Sequence, residues 1–525
     1  MTQPLSNPQK RGNSVPFHSI LFDESEAGTD IGGREAPEFF TDLNLDQIVA
    51  SMTAGRDEYN LKPFFYTPLS RVETINYRYD ILRDLVNPAL FGHIRSFAQE
   101  MRTMRGHLAQ ADKLHYKYQK ERWFLDAADV YCGAVNRLTR DVTLTDLRSR
   151  GFLAFREYLT SYTESGDFAS LVAETQKLTS DLSGVKYSLH IEGSRIKVGR
   201  YDSEPDYGAD VMRTFEKFKQ GAAREYRFKS SSAPDMNHVE AAVLDLVAQL
   251  YSGIFSSLDE YCSRHRGYLD STIGAFDREV QFYVACLEHI ERFKPAGLLF
   301  CYPTVTDRSK EVYGREVFDL ALANKLLREN APVVTNDFYL RDPERILVVS
   351  GPNQGGKTTF ARTLGQLHYL GSIGCPVPGR EARLFLFDRL FTHFEREEDI
   401  RNLSSKLEDD LLRIHQILEG ATPNSILIMN ESFVSTTLSD AVFLSKQVMQ
   451  QIVQRDMLCV SVTFLDELAS LGETTVSMVS TVDPQDPALR TFKIVRRPAD
   501  GLAYAVAIAE KYRLTYDSVK GRITS

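Results

Sequence analysis

The sequence predicts a multidomain protein in which a long α-helical region is followed by a C-terminal α/β domain. Length is the first indication: 525 residues exceed what one hydrophobic core serves, and about 100 to 200 residues per domain suggests three or more units. Periodicity is the second. From about Leu45 to Ser180, apolar residues recur at three- and four-residue spacing, as in Ile75 to Leu85 and Leu90 to Leu108, which is the spacing of helices. The third is a change of pattern near Gly297, after which short apolar runs alternate with helical ones, the mark of a mostly parallel sheet covered by helices.

Residues 1–40 are rich in Pro, Ser, Gly and acidic side chains and read as a mobile lead-in, with no apolar core of a secretory signal. Residues 41–296 form the helical region. Within it, Tyr187 to Ile191 and Arg195 to Arg200 alternate on either side of Glu192-Gly193-Ser194, predicting a hairpin, the start of a small insert near 185–230. Met212 to Lys229 then interleave Arg213, Lys217, Lys219, Arg224, Arg227 and Lys229 with Phe215, Phe218, Tyr226 and Phe228. That mixture suits a phosphate backbone, and equally a solvated helix face with ordinary core aromatics. Helical periodicity resumes from Asn237 to about Phe293 as one long returning helix or a pair. The most apolar stretch, Val239 to Leu258, is interrupted by Glu240, Asp245 and Gln249, so no membrane span is expected and the protein is expected in the cytoplasm.

Residues 297–525 carry the chemistry. The apolar run Ile346 to Ser350 leads into Gly-Pro-Asn-Gln-Gly-Gly-Lys-Thr-Thr at 351–359, and a helical run follows from Phe360 to Leu370. Strand, glycine-rich turn, Lys-Thr and helix make a P-loop, which binds the phosphates of a nucleoside triphosphate. The backbone must curl around the phosphates with its N–H groups inward, and the helix presents its positive end to the anion. Candidate nucleotide contacts are therefore Gly351, Pro352, Asn353, Gly355, Gly356, Lys357, Thr358 and Thr359, with Lys357 reaching the β/γ-phosphates and Thr358 binding Mg²⁺. A second buried-strand pattern, Ser425 to Met429, ends in Asn430-Glu431. It is expected beside the strand that leads into the loop, which places Glu431 to orient or deprotonate the attacking water. Leu458 to Thr463 reads as a third buried strand, Val476 to Val482 and Leu489 to Arg497 as sheet-edge strands, and Leu502 to about Ile523 as a closing helix. The predicted class is thus a helical region followed by an α/β P-loop NTPase domain.

Composition narrows the partners. A net charge of −9 argues against coating nucleic acid or membrane indiscriminately, while a local basic patch remains compatible. The six cysteines lie far apart without CxxC spacing and read as reduced core thiols.

These residues resemble the ATPase domain of the MutS mismatch-repair family. The loop at 351–359 is similar to that family's G-P-N-M-G-G-K-S-T, a more specific match than a generic P-loop. Val334 to Asp337 resembles the family's segment at the edge of the nucleotide pocket, which implies a nucleotide contact for Asn336. Phe387 to Thr392 looks like its D-R-I-F-T run, and Glu398-Asp399-Ile400 sits where an acidic pair follows. Counted back from Ala421-Thr422, Ser405 falls on the serine that reaches the partner subunit's nucleotide, with Ser404 as the neighbouring alternative; Asp440 falls on the dimer-facing aspartate. Gly501 to Ala507 is similar to the C-terminal family helix. Residues 45–295 resemble the family's core and lever helices in layout and in fragments such as Ile75 to Arg78. The resemblance implies ATP, Mg²⁺ and a homodimer whose helical arms engage DNA, with no membrane involved.

Three departures shape the expected activity. Asn430 stands where the family has an acid, and an amide attracts Mg²⁺ less than a carboxylate. Phe464 stands where the family has a histidine, and the loop after Glu431 lacks the usual glycines. Hydrolysis is therefore expected to be slow, with ATP binding less affected. There is no room ahead of the helical body for the domain that reads mismatches with an intercalating wedge, so the likeness is to a form lacking it. Three functions compete: an ATP-dependent DNA clamp, an ATP-gated switch for a protein partner with little turnover, and an unrelated P-loop ATPase such as a transporter motor. The motifs after the loop disfavour the last.

Overall fold

A computed structural model describes residues 17–23, 26, 34–203, 236–395, 406–483, 485–486, 489–499, 516 and 520 of the chain. Its helices are α1 (Phe39–Asp42), α2 (Leu45–Thr53), α3 (Lys62–Phe65), α4 (Val72–Leu85), α5 (Pro88–Lys113), α6 (Lys117–Leu144), α7 (Arg150–Thr163), α8 (Gly166–Ser183), α9 (His238–Leu250), α10 (Ser252–Arg264), α11 (Ser271–Glu291), α12 (Leu320–Arg328), α13 (Lys357–Ser372), α14 (Lys406–Gly420) and α15 (Leu438–Gln454). The strands are β1 (Tyr187–Glu192), β2 (Arg195–Arg200), β3 (Phe300–Cys301), β4 (Thr304–Thr306), β5 (Val312–Val317), β6 (Asn336–Leu340), β7 (Ile346–Ser350), β8 (Val377–Pro378), β9 (Glu381–Phe385), β10 (Leu390–Phe394), β11 (Ile426–Asn430), β12 (Leu458–Val462), β13 (Thr475–Val482) and β14 (Arg490–Arg496). The chain divides into two compact units: Met1–Phe17 with Asp84–Arg148 and Phe152–Asp277, and His18–Arg83 with Ser149–Gly151 and Arg278–Ser525.

The first unit is helical apart from its hairpin. Asn87 caps α5 by accepting the Ala89 N–H, and Pro88 occupies the first turn, where its missing donor costs nothing. Leu90, Ile94, Phe97, Met101 and Met104 then form a buried stripe at helical spacing, packed on Leu125, Ala128, Val135, Leu138 and Val142 of α6. Phe155 stacks on Phe276 with ring centroids 3.6 Å apart, and Arg105 pairs with the buried Asp277. β1 and β2 pair antiparallel from Tyr187↔Arg200 to Glu192↔Arg195, as the alternation predicts. Val198, with Leu182 and Val185, packs against Val247, Ala248 and Phe255, whereas Leu189 and Ile191 are exposed. The returning helical stretch is three helices, α9 to α11, because Tyr251 (φ −118°, ψ 40°) and then His265 (φ −98°, ψ 19°) leave helical geometry. Among the described residues no single helix is long and apolar enough to cross a membrane; α9 and α10 reach that threshold only together, across a bend of 104°. The stretch 212–229 lies outside the described residues.

The second unit is built on a six-stranded sheet ordered β10-β11-β12-β7-β13-β14, parallel throughout except for β14. This order corrects two expectations. The strand ending at Asn430 does not adjoin β7, because β12 lies between and pairs with both. Of the two strands expected at an edge, β13 is interior and β14 is at the edge. The cause is burial on both faces: every residue of β12 is buried, as suits a central strand of a parallel sheet. A smaller sheet, β4-β9-β5-β6, and the short pair β3-β8 complete the strands.

The helix that follows the glycine-rich loop, α13, is enclosed nearly all round, with Phe360, Leu364, Leu367, Tyr369 and Leu370 all buried. It packs against β11 and β12 on one side, β8 and β9 on another, and α12. Its remaining flank is covered by the chain around α1 and α2: Phe40 meets Tyr369 edge-on at 5.0 Å, Gln366 Nε2 donates to Leu43 O at 2.9 Å, and Arg362 Nε donates to Asp42 O at 2.8 Å. Gly365 is required at this crossing, since a Cβ would lie 2.7 Å from side-chain carbons of both Ile428 and Leu43. The unit holding the loop therefore draws on residues far upstream of 297.

Residues 18–22 are part of this core, which corrects the expectation of a mobile lead-in for that part of 1–40. Ile20 and Leu21 are fully buried; Glu279 accepts from Ser19 Oγ and the Ile20 N–H, and Tyr283 Oη donates to Ile20 O. Arg78, fully buried, donates to Leu21 O at 3.0 Å and Ile373 O at 2.7 Å and lies over the rings of Phe22 and Phe282. Burial pushes the Arg78 pKa down, partly opposed by nearby groups, Tyr283 first. Arg78→Ala would orphan both carbonyls, so a loss of roughly 3 kcal/mol is expected in urea unfolding. A midpoint equal to wild type would contradict the clasp.

Candidate functional site

The site begins where β7 ends. Gly351 (φ 118°) turns the chain out of the strand, and a side chain there would strike the Ser480 carbonyl at 2.9 Å. Ser480, fully buried on β13, donates from Oγ to Gly355 O at 2.7 Å, and a Cβ on Gly355 would sit 2.3 Å from that oxygen. The loop is thus pressed against β13, and glycine is the residue that allows the approach. Gln354 adopts φ 59° and Gly356 φ 89° before α13 starts at Lys357.

Lys357 is 5% exposed and folds over the loop, donating from Nζ to Gly351 O (2.9 Å), Pro352 O (3.2 Å) and Asn353 Oδ1 (3.4 Å). Burial lowers its pKa, Glu431 opposes that shift, and Arg490 adds to it. Arg490, at the start of β14, donates to Asn353 O. Thr358 Oγ1 donates to Asn430 Oδ1 at 2.7 Å, joining the start of α13 to the end of β11.

Beyond Asn430 the strand alternation would turn Glu431 away from α13. Left-handed backbone at Glu431 (φ 52°) and Phe433 (φ 62°) redirects the chain, and the Glu431 N–H donates to Val462 O at 2.9 Å. Glu431 consequently lines the same cleft as residues 353–359. The cleft has a volume of about 760 Å³, and its far lobe is apolar, walled by Phe318, Leu322, Leu326, Val333, Val334 and Phe492. Asp319, at the edge of this lobe, caps α12 by accepting the Leu322 N–H, and burial raises its carboxyl pKa.

Of the expected contacts, Asn353, Gly355, Gly356, Lys357, Thr358, Thr359, Asn336 and Glu431 line this cleft, while Gly351 and Pro352 supply carbonyls to Lys357. Asn336 is committed to β14: its Oδ1 accepts from Ile494 N and its Nδ2 donates to Phe492 O. Asp440 is not brought to the cleft; it sits in the first turn of α15 and accepts from Thr437 Oγ1 at 2.8 Å. Ser405, Ser404, the acidic pair at 398–399 and the segment 501–507 lie outside the described residues. Phe464 is half exposed and does not line the cleft. Ser480, Arg490, Phe492 and the apolar lobe were not foreseen, because their approach comes from strand order and not from local spacing.

Chemically, the arrangement pairs a buried cation and the positive end of a helix with a hydroxyl-amide pair and a carboxylate, beside an apolar slot. That is a receptor for a ligand with an anionic end and a flat apolar end.

Residues 347–519 match the model of MutS domain V. The DNA mismatch repair protein MutS of Halalkalibacterium halodurans is 23% identical over 545 residues, covering 97% of this chain and 58% of that protein. The chain belongs to the MutS family. The MutS protein of Thermotoga neapolitana is 24% identical over 48% of this chain and 30% of its own length. The mismatch repair protein MSH3 of Eremothecium gossypii is 30% identical over 26% of this chain and 13% of its own. The chain thus spans 58% or less of the length of each of these relatives.

The packing of loop against β13 carries its own test. Gly355→Ala should destabilise the protein by about 1–3 kcal/mol in urea unfolding, the cost of forcing a methyl into a closed contact. Unchanged stability would contradict the contact with Ser480.

Proposed function

We propose that this MutS-family chain binds ATP in the cleft, hydrolyses it slowly, pairs with a second copy when ATP is bound, and clamps DNA. The observation that supports this best is the convergence of Lys357 and Thr358 from α13 and of Glu431 from just beyond β11 on one cleft with an apolar lobe, with Asn430 at the end of β11 hydrogen-bonded to Thr358. Lys357 would exchange its bonds to the Gly351 and Pro352 carbonyls for bonds to β/γ-phosphate oxygens, an exchange its buried charge favours. The base would enter the apolar lobe. Glu431, held by its backbone toward the cleft, would orient and deprotonate the attacking water.

The donor set at Thr358 and Asn430 fits Mg²⁺, since both are oxygens, 2.7 Å apart. Bound with the nucleotide, the ion supplies neutralisation of phosphate charge. Both donors are neutral, and among the described residues no cluster of three or more His, Cys, Asp or Glu could hold a metal alone. The phosphates themselves would bring the ion, which is the reason to expect slow turnover.

Asp440 lies away from its own cleft, as a residue serving a partner's site would, and Ser405 is assigned the same role by resemblance. DNA is proposed because the relatives are named DNA mismatch repair proteins; β1 and β2 also expose Arg195 and Lys197 on one face, beside Glu192, which pairs with His190. Mismatch reading is not part of the proposal. An ATP-gated switch with a protein partner is the second reading, favoured by Asn430 in place of an acid.

Lys357→Ala should abolish ATP binding in a nucleotide titration, and unchanged affinity would remove the assignment. Glu431→Gln should bind ATP yet lose roughly 10²-fold in turnover; wild-type turnover would put the base elsewhere. In that variant, sedimentation should show more dimer with ATP than with ADP, and adding Ser405→Arg should block the shift while ATP binding persists. A mass distribution indifferent to nucleotide in both proteins would reject the ATP-clamped dimer.

A further inference from the structure

Behind the cleft, three polar side chains meet in the core between the sheet and α14. His393 of β10 is 1% exposed and Asp410 of α14 is 8% exposed. The Nδ1 of His393 lies 3.0 Å from Ser432 Oγ, and its Nε2 lies 3.5 Å from Asp410 Oδ1. His393 pairs with Met429 across the β10–β11 ladder, and Met429 belongs to the apolar core that Ile414 and Leu418 of α14 complete. Polar groups enclosed in such a core are costly unless they satisfy one another. His393 Nδ1 has its partner in Ser432, while Nε2 makes no hydrogen bond and faces Asp410 at ion-pair distance; an acid there favours the tautomer protonated at Nε2, which leaves Nδ1 to accept the Ser432 hydroxyl.

Ser432 occupies a particular place. It stands between Glu431 and Phe433, both in left-handed conformations that side chains disfavour, and such a turn keeps its shape only where its surroundings fix it at several points. The buried Phe433 ring is one anchor and the Glu431 N–H to Val462 O is another. The Ser432 hydroxyl is the third, and it is the polar one, leading through His393 to Asp410 of α14.

We propose that His393, oriented by Asp410, is a positioning residue that holds the Glu431–Phe433 turn through Ser432 and thereby couples the first turns of α14 to the carboxylate in the cleft. The proposal rests on the reading of that cleft as an ATP site with Glu431 as base. It gives α14, whose first residue Lys406 directly follows Ser405 in sequence, a mechanical route to the base. A shift of α14 that withdraws Asp410 frees the imidazole, and the turn loses its third anchor.

The two ring nitrogens can be tested separately, because an asparagine amide falls near Nδ1 and a glutamine amide near Nε2. His393→Asn retains a partner for Ser432 and loses Asp410; His393→Gln retains Asp410 and loses Ser432. ATP affinity by titration and single-turnover hydrolysis would be measured for both, for Ser432→Ala and for wild type, with thermal unfolding as the control for folding. The expected result is a fall of about 10-fold or more in turnover for His393→Gln and Ser432→Ala, with ATP affinity within about 2-fold of wild type and His393→Asn retaining most activity. Equal losses in His393→Asn and His393→Gln that follow their loss of stability would overturn the proposal, as would wild-type turnover in Ser432→Ala. A wild-type protein that binds ATP without turning it over would remove the base and this role with it. One that binds no ATP would instead remove the reading of the cleft.

Discussion

Everything in the larger unit is arranged around the enclosure of α13. This helix must start at the mouth of a cleft and run into the interior, so its flanks are covered by two sheets, by α12 and by the chain around α1 and α2. Enclosure on all sides leaves no room for backbone adjustment at Gly365, and it commits polar groups such as Gln366 to specific partners on both sides: Leu43 O and Leu320 N. A helix held this rigidly fixes its own N-terminus, and with it the loop at 351–356. Close packing of the interior thus becomes geometric accuracy at the surface.

How much of this could be read beforehand depended on range. The β7–loop–α13 unit was legible because an apolar run, a glycine-rich turn and a helix are contiguous and each has a local physical cause. Strand order was not: nothing within Leu458–Val462 says that it separates β7 from β11, and only its burial on both faces marks it as central. Residues 18–22 were misread because composition reports the average of a segment. Ile20, Leu21 and Phe22 are few, yet Arg78 and Glu279 give their backbone buried partners. In the site, Lys357, Thr358, Asn430 and Glu431 were legible from motif and strand ends. Ser480 and Phe492 were not, since they arrive from a hairpin over a hundred residues away in sequence, paired to β7 only once the sheet forms.

Local backbone strain gathers at the same place. Gln354, Glu431, Phe433 and Phe492 all have positive φ, three of them line the cleft, and none is glycine. Residues in such conformations are maintained by the structure around them, and their clustering marks where the fold gives up local stability for placement. In this chain the anchors are identifiable: Phe433 in the core beneath α14 and α15, and the Asn336 amide gripping both the Phe492 carbonyl and the Ile494 N–H. Of the departures from the family pattern, Asn430 falls in the same neighbourhood, while Phe464 does not line the cleft. The departure at Asn430 leaves the scaffold that presents Lys357 and Thr358 in place, since its amide oxygen still accepts from Thr358.

The central claim is that this scaffold is a receptor for the triphosphate of a nucleotide, and a crystal structure with a non-hydrolysable ATP analogue and Mg²⁺ measures it most directly. The expected result has the phosphates lying along residues 355–358, the base in the lobe between Val333 and Phe492, and Lys357 Nζ moved off the carbonyls of Gly351 and Pro352 onto phosphate oxygens. An analogue bound elsewhere, with Lys357 still bonded to those two carbonyls, would contradict it.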